Sequence, residues 1–221
     1  MLEEEGYNAL PPYLQDAIKN CDVFFTENER TTRRFFKKIW KEMVIDDYGW
    51  YTISDEPPLL AAFRDALLNH KKIGIVSEAG CPGVADPGQA LVSIAQDLNA
   101  TIKPLVGPSA ILLALMASGM NGQHFSFAGY LPIDNQQRVK AIRDLEAESA
   151  KKNMTQIFIE TPYRNMQMLD ALCKTCKPGT RLCVAVSLTG KEEWIRTMTI
   201  AKWQLEKPEL HKKPAVFLLQ G

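Results

Sequence analysis

Directly behind the apolar run Ile73-Gly-Ile-Val76 stands the stretch Ser77-Glu-Ala-Gly-Cys-Pro-Gly-Val-Ala-Asp-Pro-Gly88. An ordinary connection uses about two to six residues, so this loop is about twice the usual length. Its glycines let a ligand approach the backbone, and its prolines hold the loop open without a mobile side chain. Long, rigid loops at the carboxyl ends of parallel strands are where open α/β sheets keep their ligands. That one feature predicts an α/β protein with a site at the ends of its strands.

The rest of the chain repeats the arrangement. Helical spacing over Pro12–Asn20, Thr31–Trp40, Pro58–His70, Gln89–Leu98 and Pro108–Ser118 alternates with strand-like runs at 22–26, 72–76 and 102–106. Thr26–Arg30, Ser77–Gly88 and Val106–Ala110 each follow such a run, so a largely parallel sheet is expected here. A break at Asn121-Gly-Gln123 divides the chain into an N-terminal α/β domain, 1–122, and a C-terminal one, 123–221. In the second, Phe125–Ala128, Gln156–Glu160, Arg181–Ser187, Trp194–Thr199 and Ala215–Leu219 read as strands, with helices at 136–150 and 165–173. Consecutive strands near its end predict a mixed sheet.

Several functions are excluded early. Formal net charge is zero over 221 residues, so no global field points to nucleic acid or membrane. No run reaches the ~20 apolar residues of a membrane span, and no leader pattern stands at the start. Five cysteines, an odd number, read as reduced thiols and a cytoplasmic setting. Cys173 and Cys176 form a CxxC with no second Cys or His pair nearby, so helix packing is expected there and no metal site. No G-x-S-x-G elbow occurs and the three histidines are scattered, which argues against a covalent hydrolase. Neither GxGxxG nor a phosphate loop ending in Lys-Ser or Lys-Thr is present, so the Gly/Pro loop suits a ligand without phosphates. Arg30–Lys41, RTTRRFFKKIWK, carries six basic residues. As a helix it would set Arg30, Arg33, Arg34, Lys37 and Lys41 opposite Phe35, Phe36 and Ile39, either as a solvated face or as a contact for phosphates.

Taken together and in order, the motifs TENERTTRRF (26–35), VSEAGCPGVADPG (76–88), VGPSA (106–110), ASGM (117–120), FAGYLP (127–132), IFIETPYRN (157–165), EEWIRTMT (192–199) and KPAVFLLQG (213–221) resemble the tetrapyrrole methylase superfamily of S-adenosylmethionine (SAM) enzymes. The closest resemblance within it is to the ribosomal RNA small subunit methyltransferase I branch, which 2′-O-methylates a cytidine. The resemblance implies two α/β domains with SAM in the cleft between them, a homodimer, and RNA of the small ribosomal subunit as partner. It implies that Gly80, Cys81, Pro82, Val84 and Asp86, with Gly107, Pro108, Ser109, Ala110 and Ile111, line the cofactor pocket from the first domain. Ala185 and Val186, with Pro214 and Ala215, would approach it from the second. Glu27 with Arg30, and Glu160 with Arg164, match its two acidic-basic loops on the substrate side.

The chain departs from the family pattern in three places. The family begins with a strand and a Gly/Pro loop, whereas here a helix at Pro12 follows Met1 almost at once. Glu-Asp-Thr-Arg is replaced by Glu27-Asn-Glu-Arg30, and Pro-His-Arg by Pro162-Tyr-Arg164, which marks a divergent subgroup. Because a ribose hydroxyl is a poor nucleophile near neutral pH, a base is expected: Glu27 first, Glu160 second. Arg30 and Arg164 would hold phosphate or stabilise charge, and an ion pair fixing each loop is the competing role for the carboxylates. A tetrapyrrole or other small-molecule methyltransferase, a SAM- or RNA-binding paralogue without catalysis, and a nucleotide enzyme of another kind are the alternatives.

Overall fold

Val23–Thr26 forms strand β1, buried at all four positions. Side chains alternate across a strand, so Phe24 and Phe25 face opposite sides and each needs a covering layer. The computed structural model describes residues 9–221 and shows both layers. Two compact units divide the chain, the first ending at Ser109 and the second spanning Ala110–Gly221.

In the first unit β1 lies between β2 (Gly49–Thr52) and β3 (Ile73–Val76), and both pairings are parallel. Phe24 packs edge-on against Phe36 of α2 (Glu29–Ile39), ring centroids 5.0 Å apart, with Met43 beneath. Phe25 meets Phe63 of α3 (Pro57–Leu68) edge-on, also at 5.0 Å, together with Leu91 of α4 (Gln89–Asp97). Helices therefore cover both faces, as parallel sheets require. A short helix, α1 (Leu14–Lys19), precedes β1.

The second unit contains α5 (Ala110–Ser118), β4 (Phe125–Tyr130), α6 (Asn135–Lys152), β5 (Thr155–Ile159) and α7 (Asn165–Thr175), followed by β6 (Arg181–Val186), β7 (Trp194–Thr199), α8 (Ile200–Leu205) and β8 (Ala215–Gln220). Sheet order is β4-β5-β8-β6-β7, with β4 and β5 parallel and every other pair antiparallel. Phe158, Leu182, Val184 and Phe217 face Ile142 of α6, Leu169 and Leu172 of α7 and Trp203 of α8. Ile157, Cys183, Val216 and Leu218 face Ala114 and Leu115 of α5. Asp134 caps α6 by accepting from the Gln137 amide at 2.9 Å, and Asn153 ends it at φ 47°, a left-handed position asparagine tolerates. The expected parallel and mixed sheets are thus both present.

Two local expectations need correction, and two elements had not been expected. Residues 102–106 form no strand: Ile102, Leu105 and Val106 are exposed, and no described strand lies beside them. The division falls between Ser109 and Ala110 instead of near residue 122, because α5 is apolar on all sides and packs on the larger sheet. Strand β2 and helix α8 carried too few residues, four and six, to show a period.

Candidate functional site

In the first unit the carboxyl ends of β1 and β3 are joined beyond the strands. The Glu27 amide donates to the Val76 carbonyl at 2.9 Å, extending the ladder by one residue. The Glu27 carboxylate then turns back, and its Oε2 accepts from the Glu78 amide at 2.8 Å. Thr31, in the first turn of α2, donates its hydroxyl to Glu78 Oε1 at 2.6 Å. Asn28 caps that helix, its Oδ1 accepting from the Thr31 amide at 3.2 Å. Two loops of different parallel strands are therefore held together by one backbone bond, one side chain-to-backbone bond and one bond between side chains.

The Ser77–Gly88 loop is folded on itself. Cys81 and Val84 form an isolated antiparallel bridge, and the Gly83 amide donates to the Pro87 carbonyl at 3.2 Å. Gly80 adopts φ +104°, which favours glycine, and a Cβ there would also stand close to Asp86 Oδ2, at 3.2 Å. That oxygen is buried and has no hydrogen-bond partner among the described residues. Burial, and then the nearby Glu27 carboxylate, push the Asp86 carboxyl above its ordinary range, while the Ser77 hydroxyl acts the other way. Pro82 and Val84 also line a groove of about 350 Å³ with Gln89, Val92, Ser93 and Gln96 of α4. Gly107, Pro108 and Ser109 lie in irregular chain at the end of this unit, and Ala110 and Ile111 open α5 in the other. Arg30 is exposed and makes no ion pair with Glu27.

In the second unit the carboxyl ends of β4, β5 and β6 lie at the same sheet edge as the start of β8: Tyr130 pairs with Ile159, Ile159 with Val216, and Val186 with Ala215. Glu160 leaves β5 with its side chain 1% exposed. Its Oε1 accepts from the Thr161 amide at 2.6 Å and from Arg164 Nε and Nη2 at 3.0 and 2.6 Å. Asn165, fully buried, donates to the Lys213 carbonyl at 2.6 Å, and the Lys212 amide reaches the Pro162 carbonyl at 3.1 Å. The Ser187 amide donates to the Pro214 carbonyl at 2.9 Å. The segments holding Glu160 and Arg164, Ala185 and Val186, and Pro214 and Ala215 are thus brought together at this edge. Sequence reasoning missed Glu78, Thr31 and Asn165, whose only signal was that each stands inside a motif already singled out, and Ser187, which was read only as the end of a strand.

Cys173 and Cys176 are buried free thiols. Burial first, then the Glu146 charge, push the Cys176 thiol up to about 12, and no group of three potential metal ligands occurs among the described residues. None of the described helices is long and apolar enough to cross a membrane.

Known proteins place this arrangement in a class. The family model for tetrapyrrole (corrin/porphyrin) methylases matches residues 8–203. Among solved structures, the methyltransferase CobJ superposes with a TM-score of 0.62 at 17% identity, over 97% of this chain and 89% of that one. The uroporphyrin-III C-methyltransferase of Thermus thermophilus gives 0.56 at 13% identity over the same shares. At such identities these two speak for the fold alone. A Vibrio cholerae protein named ribosomal RNA small subunit methyltransferase I is 31% identical over 212 residues, 93% of this chain and 70% of its own length. Its namesakes in Synechocystis sp. and Bacillus subtilis are 34% and 33% identical over 87% and 88% of this chain, of which they are matched over 67% and 63% of their own lengths. The chain belongs to the tetrapyrrole methylase family of SAM-dependent methyltransferases, and within it to the ribosomal RNA small subunit methyltransferase I group.

Proposed function

We propose that the chain methylates the 2′-hydroxyl of a ribose in small-subunit ribosomal RNA. The observation that carries this reading is the 31% identity, over 93% of the chain, with a protein of that name. The choice of the 2′-oxygen follows from the motif resemblance.

The Ser77–Gly88 loop suits SAM on its own chemistry. It offers backbone freed by Gly80 and a buried carboxylate oxygen of Asp86 that lacks a donor among the described residues, and it carries no lysine for a phosphate. When bound, SAM supplies a methyl group activated on a sulfonium sulfur. The chain's own contribution is alignment of the ribose oxygen, exclusion of water and removal of one proton. Of the two carboxylates, Glu160 is the poorer base, because three donors converge on its Oε1 and water barely reaches it. Glu27 gives one oxygen to the Glu78 amide and leaves Oε1 without a partner among the described residues, so it holds the proton in this reading.

The test is transfer of labelled methyl from SAM to small ribosomal subunits, with the position read from resistance of one linkage to alkaline cleavage. Glu27→Gln should lower kcat by about 10²- to 10⁴-fold, the usual worth of a general base, with SAM affinity held within a few-fold. Label entering a tetrapyrrole and not RNA would overturn the substrate. A kcat within a few-fold of the parent enzyme would remove Glu27 as base.

A further inference from the structure

Helix α2 carries two sets of basic residues that the structure treats differently. Arg33 pairs with Glu29, and its guanidinium lies 4.9 Å from the centroid of the Trp50 ring. Lys37 Nζ donates to the carbonyls of Lys41 and Met43, the latter at 2.8 Å. These two cations are used internally, to seat α2 on β2 and to hold the turn that follows it. Arg30, Arg34 and Lys38 are exposed, and among the described residues none of them has a hydrogen-bond or ion-pair partner. Glu29 is the only acid in the helix, and Arg33 already engages it.

The spacing of the free set is regular. At four-residue intervals the three side chains lie in one stripe along the helix, about 6 Å apart along its axis. The stripe begins at Arg30, three residues beyond Glu27, and runs away from the joined ends of β1 and β3. Its face carries no apolar anchor, because Phe35, Phe36 and Ile39 are turned into the cluster around Phe24 and Met43. A lipid surface would need such an anchor beside the charges, whereas a chain of evenly spaced phosphates needs only the charges.

We infer that Arg30, Arg34 and Lys38 form a rail for the phosphates of an RNA strand whose ribose is presented to the Glu27 loop; this rests on the RNA methyltransferase reading above. Phosphate contacts of this kind fix register and orientation without reading bases. They leave discrimination of the target to other parts of the molecule.

The experiment is binding of small ribosomal subunits, followed by fluorescence anisotropy across a salt series, for the parent and for Arg34→Gln/Lys38→Gln. Each phosphate contact on a single strand contributes about 0.7 to the slope of log K against log salt, so the double variant should flatten the slope by about 1.4. Its SAM affinity, measured by calorimetry, should equal that of the parent. Arg33→Gln serves as the control, losing thermal stability while keeping the parent slope. An unchanged slope in the double variant, with the parent still binding and methylating the subunit, would overturn the rail alone. Absence of salt-dependent binding by the parent, with SAM still bound, would overturn the RNA reading and the rail with it.

Discussion

Replacing Arg164 by methionine tests whether the ion pair behind β5 is structural. The substitution keeps most of the side chain's apolar stem and removes two of the three donors on Glu160 Oε1, leaving only the Thr161 amide at 2.6 Å. Glu160 is 1% exposed, so water cannot replace what is lost, while Arg164 is 24% exposed and gives up little hydration by pairing. Breaking a fully buried pair costs about 3–5 kcal/mol, and the partial exposure of the arginine puts this case near the lower end, at about 3 kcal/mol. With a urea m-value of about 2 kcal/mol/M, the unfolding midpoint of the second unit should fall by about 1.5 M. Fluorescence of the buried Trp203 in α8 reports that unit. Glu160→Gln is the informative companion. It retains an acceptor for Thr161 and leaves the arginine with access to water, so its loss should be about 1 kcal/mol. Equal, small losses in the two variants would refute the argument, since they would mean that the carboxylate is solvated.

The elements that could be read from the chain are those whose signals are local. Phe24 and Phe25 announce a strand covered on both faces. The Glu160–Arg164 spacing already allowed an ion pair, because a tight turn beyond a strand end can bring residues four apart together. The segment 102–106 shows the opposite case. Its apolar residues have the composition of a strand, but a strand exists only by pairing, and pairing is a property of distant residues that no local pattern reports. The site divides in the same way. The Gly/Pro loop and Glu27 stood out by composition, whereas Glu78 matters through its backbone amide, which every residue has. The separation of Arg33 and Lys37 from Arg30, Arg34 and Lys38 depends on Trp50 and on the carbonyls of Lys41 and Met43, and so could not be found from helical spacing.

Two further predictions concern the titrating groups. Cys176, with its thiol pushed up to about 12 chiefly by burial, should resist alkylation at pH 8 in the folded protein and react freely in urea. Equal rates in the two states would show that the α7 end opens in solution. Asp86→Asn addresses the first unit. Because the folded protein raises the Asp86 carboxyl above its ordinary value, its ionisation opposes folding. The neutral variant should therefore be the more stable at pH 7, and its advantage should shrink as pH falls through the raised value, vanishing below about 3.9, where the unfolded carboxyl is protonated as well. Glu27 is the second cause of the shift, after burial, so the gain should be smaller when Asp86→Asn is made in a Glu27→Gln background. Urea midpoints across that pH range, for the four proteins of the cycle, measure both effects. An advantage that does not change with pH would mean that Asp86 carries no unfavourable charge. The same substitution should weaken SAM binding if the unpartnered Oδ2 is an acceptor for the cofactor. A variant that is more stable yet binds less would then show why a carboxylate held at a cost to folding is kept at the turn of this loop.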